Sequence, residues 1–583
     1  MTAHDQMGAQ SLRRDDATPL VDATTDTLPI GPLQEGLWVF WKLNPTSAAY
    51  NIPEVIHLEA ELDLAATQFA FDETVRRHEA LRTTFHETES GVVQVVSSDP
   101  GPMPVKVVDL RGVPEAERAD RLAAIVHAEA NAPFDLATEA PIRLTAIRVA
   151  EARTSLVFVA HHIVCDGTSM SRLLEDFDTL HQAARRGTLP ELPPAPPGYT
   201  EVVRRQLAAL SGQDLREDLD YWRDRLTGAR GSALPGDGGS RPADGAEGTH
   251  ATCAVSTVLE PELAAAVLDH ARRARTTPYA VLLCTMQVMI ALASGDGEVV
   301  LGTTTDGRSR RFAATVGMLA NTLIIKSAID TSASFAAVLG EVSLNLMDAL
   351  DHQELPYSRV IAELSGSGRG LGEDLIRTMF AGGAHGGLTV REERDAGVPA
   401  YRVEGPFEVM TLCYVEGSMV ALDWEFVLRS YSRETAAGYR DAYQKILAAV
   451  LREPEAPIDS LGLTDMLTRL VPDASPTAVA VSPEPVSPES GTSNGADAGT
   501  SNGGRAGDNT LSPVEVAVAA IWAEFLQVPV ESPLDDFFKL GGQSMVASQV
   551  VAVVRRKVAP ATMRILFDHP QLRDFCAQLD AGE

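Results

Sequence analysis

The sequence predicts two successive α/β halves followed by a small all-helical bundle. Three observations carry that expectation. Strand-like apolar runs alternate with helical periodicities from residue 28 to about 470. A Pro-, Ser- and Gly-rich stretch then interrupts the chain, and residues 511–583 show only helical spacing. At 583 residues the chain also exceeds what one core organises.

Composition narrows the function classes. An apolar content of 45% with 22% charged residues describes ordinary globular material. The formal charge of −31 argues against nucleic acid or an anionic membrane surface as partner, since both need clustered Lys and Arg. No stretch approaches ~20 uninterrupted apolar residues, so no membrane partner is expected. Residues 1–27 carry Arg13 and Arg14 among polar and acidic neighbours, without the apolar centre of a secretion signal, and read as a disordered tail. Five scattered cysteines (Cys165, Cys253, Cys284, Cys413, Cys576) lack metal-ligand spacing; a reduced cytoplasm fits them, and no metal is expected.

In the first half, residues 28–195, Asp63 is placed to cap a helix carrying Leu64, Phe71 and Val75. Leu81–Phe85 and Val92–Val96 flank a turn at Ser90-Gly91 and predict a hairpin. Ile142–Val149 alternates as a half-buried strand does, and Leu156–Ala160 is apolar enough to be buried on both faces. Directly after it come His161-His162-Ile163-Val164-Cys165-Asp166-Gly167. Met170, Leu173, Leu174, Phe177 and Leu180 then recur at helical spacing, with Thr168 or Ser169 placed as the cap. Two imidazoles and a carboxylate thus fall on a strand-to-helix turn, where rigid elements can aim a side chain into a cavity. Gly167 allows close backbone approach there.

The Pro-rich stretch Leu189–Pro197 leads into the second half, residues 196–470. A strand near His250, a helix over Pro261–Arg275, a helix after Thr277 with Pro278 in its first position, and a strand over Glu298–Gly302 form one further α/β cycle. Pro235–Gly248 reads as a loop. Residues 471–510 contain Gly-Thr-Ser-Asn-Gly twice and predict a flexible linker whose root-mean-square reach is about 35 Å. In residues 511–583, Ser512-Pro513-Val514-Glu515 is a capping box opening a helix with Val518, Ile521, Trp522 and Phe525. Helical patterns over Met545–Lys557 and Pro570–Leu579 complete a bundle of three or four helices.

Several of these segments carry a family resemblance. Asp535-Asp536-Phe537-Phe538-Lys539-Leu540-Gly541-Gly542-Gln543-Ser544-Met545 resembles the signature of peptidyl carrier proteins, in which the serine after the Gly-Gly turn receives a 4′-phosphopantetheine arm. The upstream part resembles the condensation domain of nonribosomal peptide synthetases. Besides the double-His segment it has Pro32-Leu33-Gln34-Glu35-Gly36-Leu37-Trp38, Arg77-His78-Glu79-Ala80-Leu81-Arg82-Thr83-Thr84-Phe85, Val316-Gly317-Met318-Leu319-Ala320-Asn321-Thr322-Leu323 and His352-Gln353-Glu354-Leu355-Pro356-Tyr357, in the family's order.

The resemblance implies two chloramphenicol-acetyltransferase-like α/β subdomains in a V-shaped pseudo-dimer with a tunnel between them, then a small four-helix carrier bundle. It makes His162 the residue closest to the bond being formed, in a motif completed by His161, Asp166 and Gly167. It gives Asp166 a structural ion pair with an arginine of the Arg77–Arg82 motif, with Arg77 favoured and Arg82 as further support. Asn321 is expected to line the cavity or to cap a strand end, and His161 to be satisfied by backbone. His352 and His385 are expected as surface or loop histidines. Zinc does not fit His161 and His162, because adjacent side chains diverge and no further ligands are spaced for it.

Function follows from the same resemblance. The chain is expected to form an amide between an upstream carrier-bound acyl or peptidyl thioester and an aminoacyl acceptor on the arm of Ser544. An ordinary imidazole, of pKa ~6.5, is mostly neutral at pH 7 and suits an amine that must shed a proton. A thioester is already activated, however, so positioning, at ~7–11 kcal/mol, is the larger contribution. The implied partners are an upstream donor carrier protein, a phosphopantetheinyl transferase, and a downstream condensation, thioesterase or tailoring enzyme. No adenylation domain separates the two parts, so a separate adenylation enzyme is expected to load Ser544 in trans. Thr168 stands where many relatives carry Trp, and Leu371–Gly387 keeps little of the family's late motif. The alternatives are an acyltransferase using a soluble amine or alcohol and a noncatalytic platform recruiting partners to the carrier. The intact double-His motif argues against the platform. An epimerase is disfavoured because such domains follow their carrier.

Overall fold

The computed structural model describes residues 26–210, 215–238, 251–366, 375–383, 406–471, 511–526, 528–540 and 544–579. The expected tail and linker, His385, most of the Pro235–Gly248 loop and both ends of the Leu371–Gly387 stretch lie outside the described residues.

The first lobe runs β1 (Asp26–Pro29), α1 (Glu35–Leu43), β2 (Asn51–Leu58), α2 (Leu64–Arg77), β3 (Thr83–Thr88), β4 (Gly91–Val96), β5 (Lys106–Asp109), α3 (Glu115–Ala130), β6 (Ile142–Ala150), β7 (Arg153–His161), α4 (Gly167–Arg186) and α5 (Tyr199–Leu210). Its main sheet has the order β2-β7-β6-β5, with β5 parallel to β6 and the other pairs antiparallel. The expected hairpin forms as β3 and β4, and β1 adds to it to make a separate three-stranded sheet. Residues 154–161 of β7 are all buried because both faces are covered. Phe158 meets Phe71 of α2 and Phe177 of α4, while α3 lies against β2, β6 and β7. Asp63 caps α2 as expected, accepting from Ala66 N at 3.0 Å.

The second lobe comprises α6 (Leu215–Leu226), β8 (Thr252–Val258), α7 (Pro261–Arg273), α8 (Pro278–Ser294), β9 (Glu298–Thr305), β10 (Asn321–Ala328), α9 (Phe335–Asp351), α10 (Tyr357–Gly366), β11 (Thr378–Gly382), β12 (Val409–Glu416), β13 (Met419–Val427), α11 (Arg433–Arg452) and α12 (Thr464–Thr468). Six strands form one sheet in the order β10-β9-β11-β12-β13-β8. The central strands β9, β11 and β12 run parallel. Thr277 caps α8, accepting from Ala280 N, with Pro278 at its first position. That helix is apolar all round because residues 280–292 are buried in this lobe. Among the described residues no single helix is long and apolar enough to cross a membrane.

The expected division at residues 195 and 196 does not match the packing. Tyr199, Val202 and Val203 of α5 join the apolar core of the first lobe, and so do Phe312, Val316 and Leu319 from the connection between β9 and β10. The second half of the chain therefore sends residues 306–320 across to complete the first lobe.

The C-terminal bundle has four helices: α13 (Pro513–Leu526), α14 (Ser544–Lys557), α15 (Met563–Asp568) and α16 (Leu572–Leu579). The capping box forms, with Ser512 N donating to Glu515 Oε2 at 2.6 Å and Glu515 N to Ser512 Oγ at 3.2 Å. Trp522, Phe537, Phe575, Val550 and Val554 fill the centre. The bundle rests on the second lobe: α14 and α15 lie against α9, and Met347 of α9 enters the bundle's apolar cluster. Arg310 Nη1 donates to the Glu524 carbonyl at 2.8 Å, and Arg555 Nη2 to the Asp351 carbonyl at 3.1 Å.

Candidate active site

Strand β7 ends at His161, a single 3₁₀ turn covers His162–Val164, and α4 begins at Gly167. This turn is held by main-chain geometry. His162 N donates to the Tyr50 carbonyl at 2.8 Å, Cys165 N donates to the His162 carbonyl at 3.3 Å, and Ile163 N donates to His161 Nδ1 at 3.1 Å. The Tyr50 ring stands edge-on to the His162 ring with centroids 6.3 Å apart. Ile163, Val164, Cys165 and Asp166 are buried, whereas His162 and Thr168 are half-buried and Gly167 is exposed. The turn thus offers the second imidazole, not the first, to an incoming molecule. Gly167 is exposed and has no positive φ, so no left-handed backbone calls for glycine there.

His161 is a structural residue. It is buried and its Nδ1 accepts a backbone hydrogen bond, so it must be neutral with the proton on the other nitrogen. Burial, reinforced by the nearby His162 and Arg143, brings its pKa down to about 3. The folded value lies below the ~6.5 of an unfolded chain, so the unfolded state takes up the proton first. This contribution to stability is complete above pH ~6.5 and is lost as the pH falls toward 3. His161→Asn keeps an acceptor for Ile163 N and does not titrate. Between pH 6.5 and 5, wild type should lose up to ~1.4 kcal/mol per pH unit more than this variant in denaturant unfolding. Equal slopes would contradict the assignment.

Asp166 is buried and caps α4 itself, with Oδ1 accepting from Ser169 N at 2.8 Å; the expected caps Thr168 and Ser169 do other work. The expected partner Arg77 is corrected as well. Arg77 Nε pairs with Asp176 Oδ2 at 2.7 Å and its Nη2 reaches the Pro193 carbonyl, because its helix places it beside the middle of α4, well away from Asp166. His78 shares that carboxylate at 3.0 Å. Arg82 donates to the Ser97 carbonyl, bracing the hairpin. The partner of Asp166 is Arg308, at 2.7 Å to Oδ1 and 2.9 Å to Oδ2. Leu319 N and Ala320 N also donate to Oδ2, at 2.9 and 3.0 Å. Burial opposes the charge on Asp166, but Arg308 and the backbone donors win and hold its carboxyl below the usual carboxylate range. With five donors on two oxygens, Asp166 is committed to structure and is not a base.

A network extends from this pair. Arg308 Nη1 also meets Asp306 Oδ1 at 2.7 Å, and Thr168 Oγ1 donates to the same oxygen at 2.8 Å. Ser169 Oγ donates to the Gly317 carbonyl and accepts from Gly317 N and Arg308 Nη2. Gly317 packs so closely on Tyr199 that a Cβ there would lie 2.0 Å from the ring. These bonds fasten the crossing segment 306–320 to the strand-to-helix turn.

Asn321 is buried at the start of β10. Its amide donates to the Gln353 and Leu355 carbonyls and its oxygen accepts from Thr322 N and Tyr357 N, which uses its full capacity. It clamps the His352–Tyr357 turn. His352 lies in that turn, half-buried: its Nδ1 lies 2.6 Å from Asp218 Oδ1, and its ring stacks on Tyr221 at 3.9 Å. Residues missed in the sequence are Arg308, Asp306 and Tyr50. Arg308 is one of three arginines within four residues after Asp306-Gly307, and nothing local singles it out from Arg310 and Arg311.

Residues 24–469 match the condensation domain family, and residues 516–579 match the phosphopantetheine attachment site family. The chain belongs to the condensation domain family, here followed by a phosphopantetheine-carrying domain. It is 30% identical over 478 residues to one of the linear gramicidin synthase proteins of Brevibacillus parabrevis, covering 80% of this chain and 9% of that protein. It is 29% identical over 469 residues to phosphinothricin tripeptide synthetase PhsB of Streptomyces viridochromogenes, covering 78% of this chain and 38% of the other. Among solved structures it resembles the SgcC5 protein of Streptomyces globisporus, at TM-score 0.61 and 24% identity over 74% of this chain and all of that one. It also resembles the first condensation domain of the CDA synthetase, at TM-score 0.64 and 20% identity over 74% and 98% of the two chains. The chain spans well under half the length of these curated relatives.

The carrier domain fits its cofactor. Helix α14 begins at Ser544, and the unpaired N–H groups of a helix start favour a phosphodiester.

Proposed function

We propose that this chain forms an amide between a donor acyl or peptidyl thioester on a separate, upstream carrier protein and an aminoacyl acceptor attached through Ser544. The observation that carries the proposal is His162, half-exposed beside the open Gly167 on a turn whose other members are buried and hydrogen-bonded. The acceptor nitrogen attacks the donor carbonyl; a C–N bond forms, the C–S bond breaks, and the departing thiol keeps the proton the amine loses. His162 orients the amine and steadies the charge that develops on it. His161, through Ile163 N, and Asp166, through Arg308, hold the turn and the crossing segment. When attached, the 4′-phosphopantetheine arm supplies the thiol that holds the acceptor as a thioester.

Residues 470–515 lie between the two family matches and are too few for an adenylation domain. That spacing supports loading of Ser544 in trans by a separate adenylation enzyme, after a phosphopantetheinyl transferase has modified it. A downstream condensation, thioesterase or tailoring enzyme takes the product. The cysteines are all buried thiols, which supports a cytoplasmic site of action.

The test follows the mass of the intact chain. Coenzyme A with a broad-specificity transferase should add about 340 Da, and Ser544→Ala should show no shift. With a panel of aminoacyl-coenzyme A acceptors and N-acetylcysteamine thioester donors, the product should remain on residue 544. Amide or ester product released only into solution would favour the soluble-acceptor acyltransferase. Turnover of no pair would favour the platform.

A further inference from the structure

We infer that Gln34, in the Pro32–Trp38 segment, is a positioning residue that sets the direction in which the His162 side chain points. The inference rests on the reading of His162 as the imidazole at the reaction centre. Gln34 is fully buried. Its Nε2 donates to the Ile163 carbonyl at 2.7 Å, across 129 residues of sequence, and its Oε1 accepts from Gly31 N at 3.0 Å. The second bond fixes which way the amide is turned, so the donor faces Ile163.

Four hydrogen bonds frame the two residues of this turn. The His162 amide reaches Tyr50 and its carbonyl is met by Cys165; the Ile163 amide reaches His161 and its carbonyl is met by Gln34. Two of these are main-chain to main-chain. Among these four, Gln34 supplies the one donated by a side chain, and it acts on the Ile163–Val164 peptide, one peptide unit beyond the one that follows the imidazole. Without it the Ile163 carbonyl is a buried acceptor with no donor, and the peptide must rotate to find another. Rotation of that peptide distorts the 3₁₀ turn His162–Val164 and with it the aim of the His162 side chain, and displacement of a reacting group by ~1 Å costs on the order of 10²-fold in rate. Gly31 belongs to the same device. A Cβ at residue 31 would lie 2.9 Å from Gln34 Oε1 and 3.1 Å from Val203 Cγ2, so only glycine lets the amide sit where it does.

Two substitutions separate positioning from simple packing. Gln34→Leu fills the space without a donor. Gln34→Glu, as a neutral acid, donates its O–H to the Ile163 carbonyl and accepts from Gly31 N; as a carboxylate it cannot donate. Burial raises the pKa of such a carboxyl. The full chain, loaded at Ser544 and assayed with the best donor from the panel above, should lose at least tenfold in kcat for Gln34→Leu, with KM within about twofold of wild type. Gln34→Glu should keep most of its activity at low pH and lose it as the pH rises through the raised pKa, an inflection wild type lacks. Gly31→Ala should fall between wild type and Gln34→Leu. If Gln34→Leu turns over within twofold of wild type while His162→Ala does not, the positioning role is overturned and the reading of His162 stands. If His162→Ala is itself unimpaired, that reading fails and this one with it. Equal losses for Gln34→Leu and Gln34→Glu at every pH would also overturn it, leaving Gln34 a packing residue.

Discussion

Replacing His162 with alanine is expected to slow amide formation by at least 10²-fold while leaving the fold and the loading of Ser544 intact. The hydrogen bonds that shape the turn use the backbone of residue 162, not its ring, so alanine preserves them. What disappears is a half-exposed imidazole and its edge contact with Tyr50. General-base help of ~10²–10⁴ sets the expected scale. A thioester donor and a partly unprotonated amine reduce the need for a strong base, so much of the loss should be loss of orientation. His162→Asn then discriminates: it can hold a hydrogen bond but accepts no proton at neutral pH. Retention of a tenth or more of wild-type turnover by Asn, against a hundredth or less by Ala, would assign the larger share to orientation. Turnover within twofold of wild type for Ala would remove His162 from the reaction.

The second large effect lies beneath the site. Asp166→Asn should destabilise the protein by about 3–5 kcal/mol, because Arg308 then loses one of two carboxylates in a buried setting. Arg308→Met should cost a similar amount by stranding Asp166. The double variant should recover part of the loss, since neither charge is then left uncompensated. Thermal and denaturant unfolding of the four proteins measure this directly. An Asp166→Asn protein as stable as wild type but inactive would contradict a structural role and return Asp166 to the chemistry.

Local features were legible in the sequence because they depend on neighbours along the chain. Asp63, Thr277 and the Ser512–Glu515 box cap the helices they precede, and the strand-turn-helix around His162 lies where the apolar periodicity changes from strand to helix. The long-range pairings were not legible. Arg77 and Arg308 are both arginines at element ends, and nothing local says that α2 carries the first toward Asp176 while the β9–β10 connection carries the second to Asp166. The cap of α4 was misplaced for a related reason. Thr168 and Ser169 are good capping residues, but the crossing segment competes for their hydroxyls, and the more deeply placed Asp166 takes the amide of Ser169. Asn321 and His352 bond to distant partners, 32–36 and 134 positions away, which no local pattern reveals.

The segment from 306 to 320 has a bearing on recombination among relatives. Phe312, Val316 and Leu319 pack with Leu81, Val164 and Tyr199, so the interior of the first lobe is written in two distant stretches of the gene. A hybrid joined near residue 195 would set one parent's wedge into the other parent's socket and would also split Arg308 from the Asp166 it was selected with. Functional chimeras should therefore inherit both stretches from one parent, with the exchange point moved beyond the end of β10.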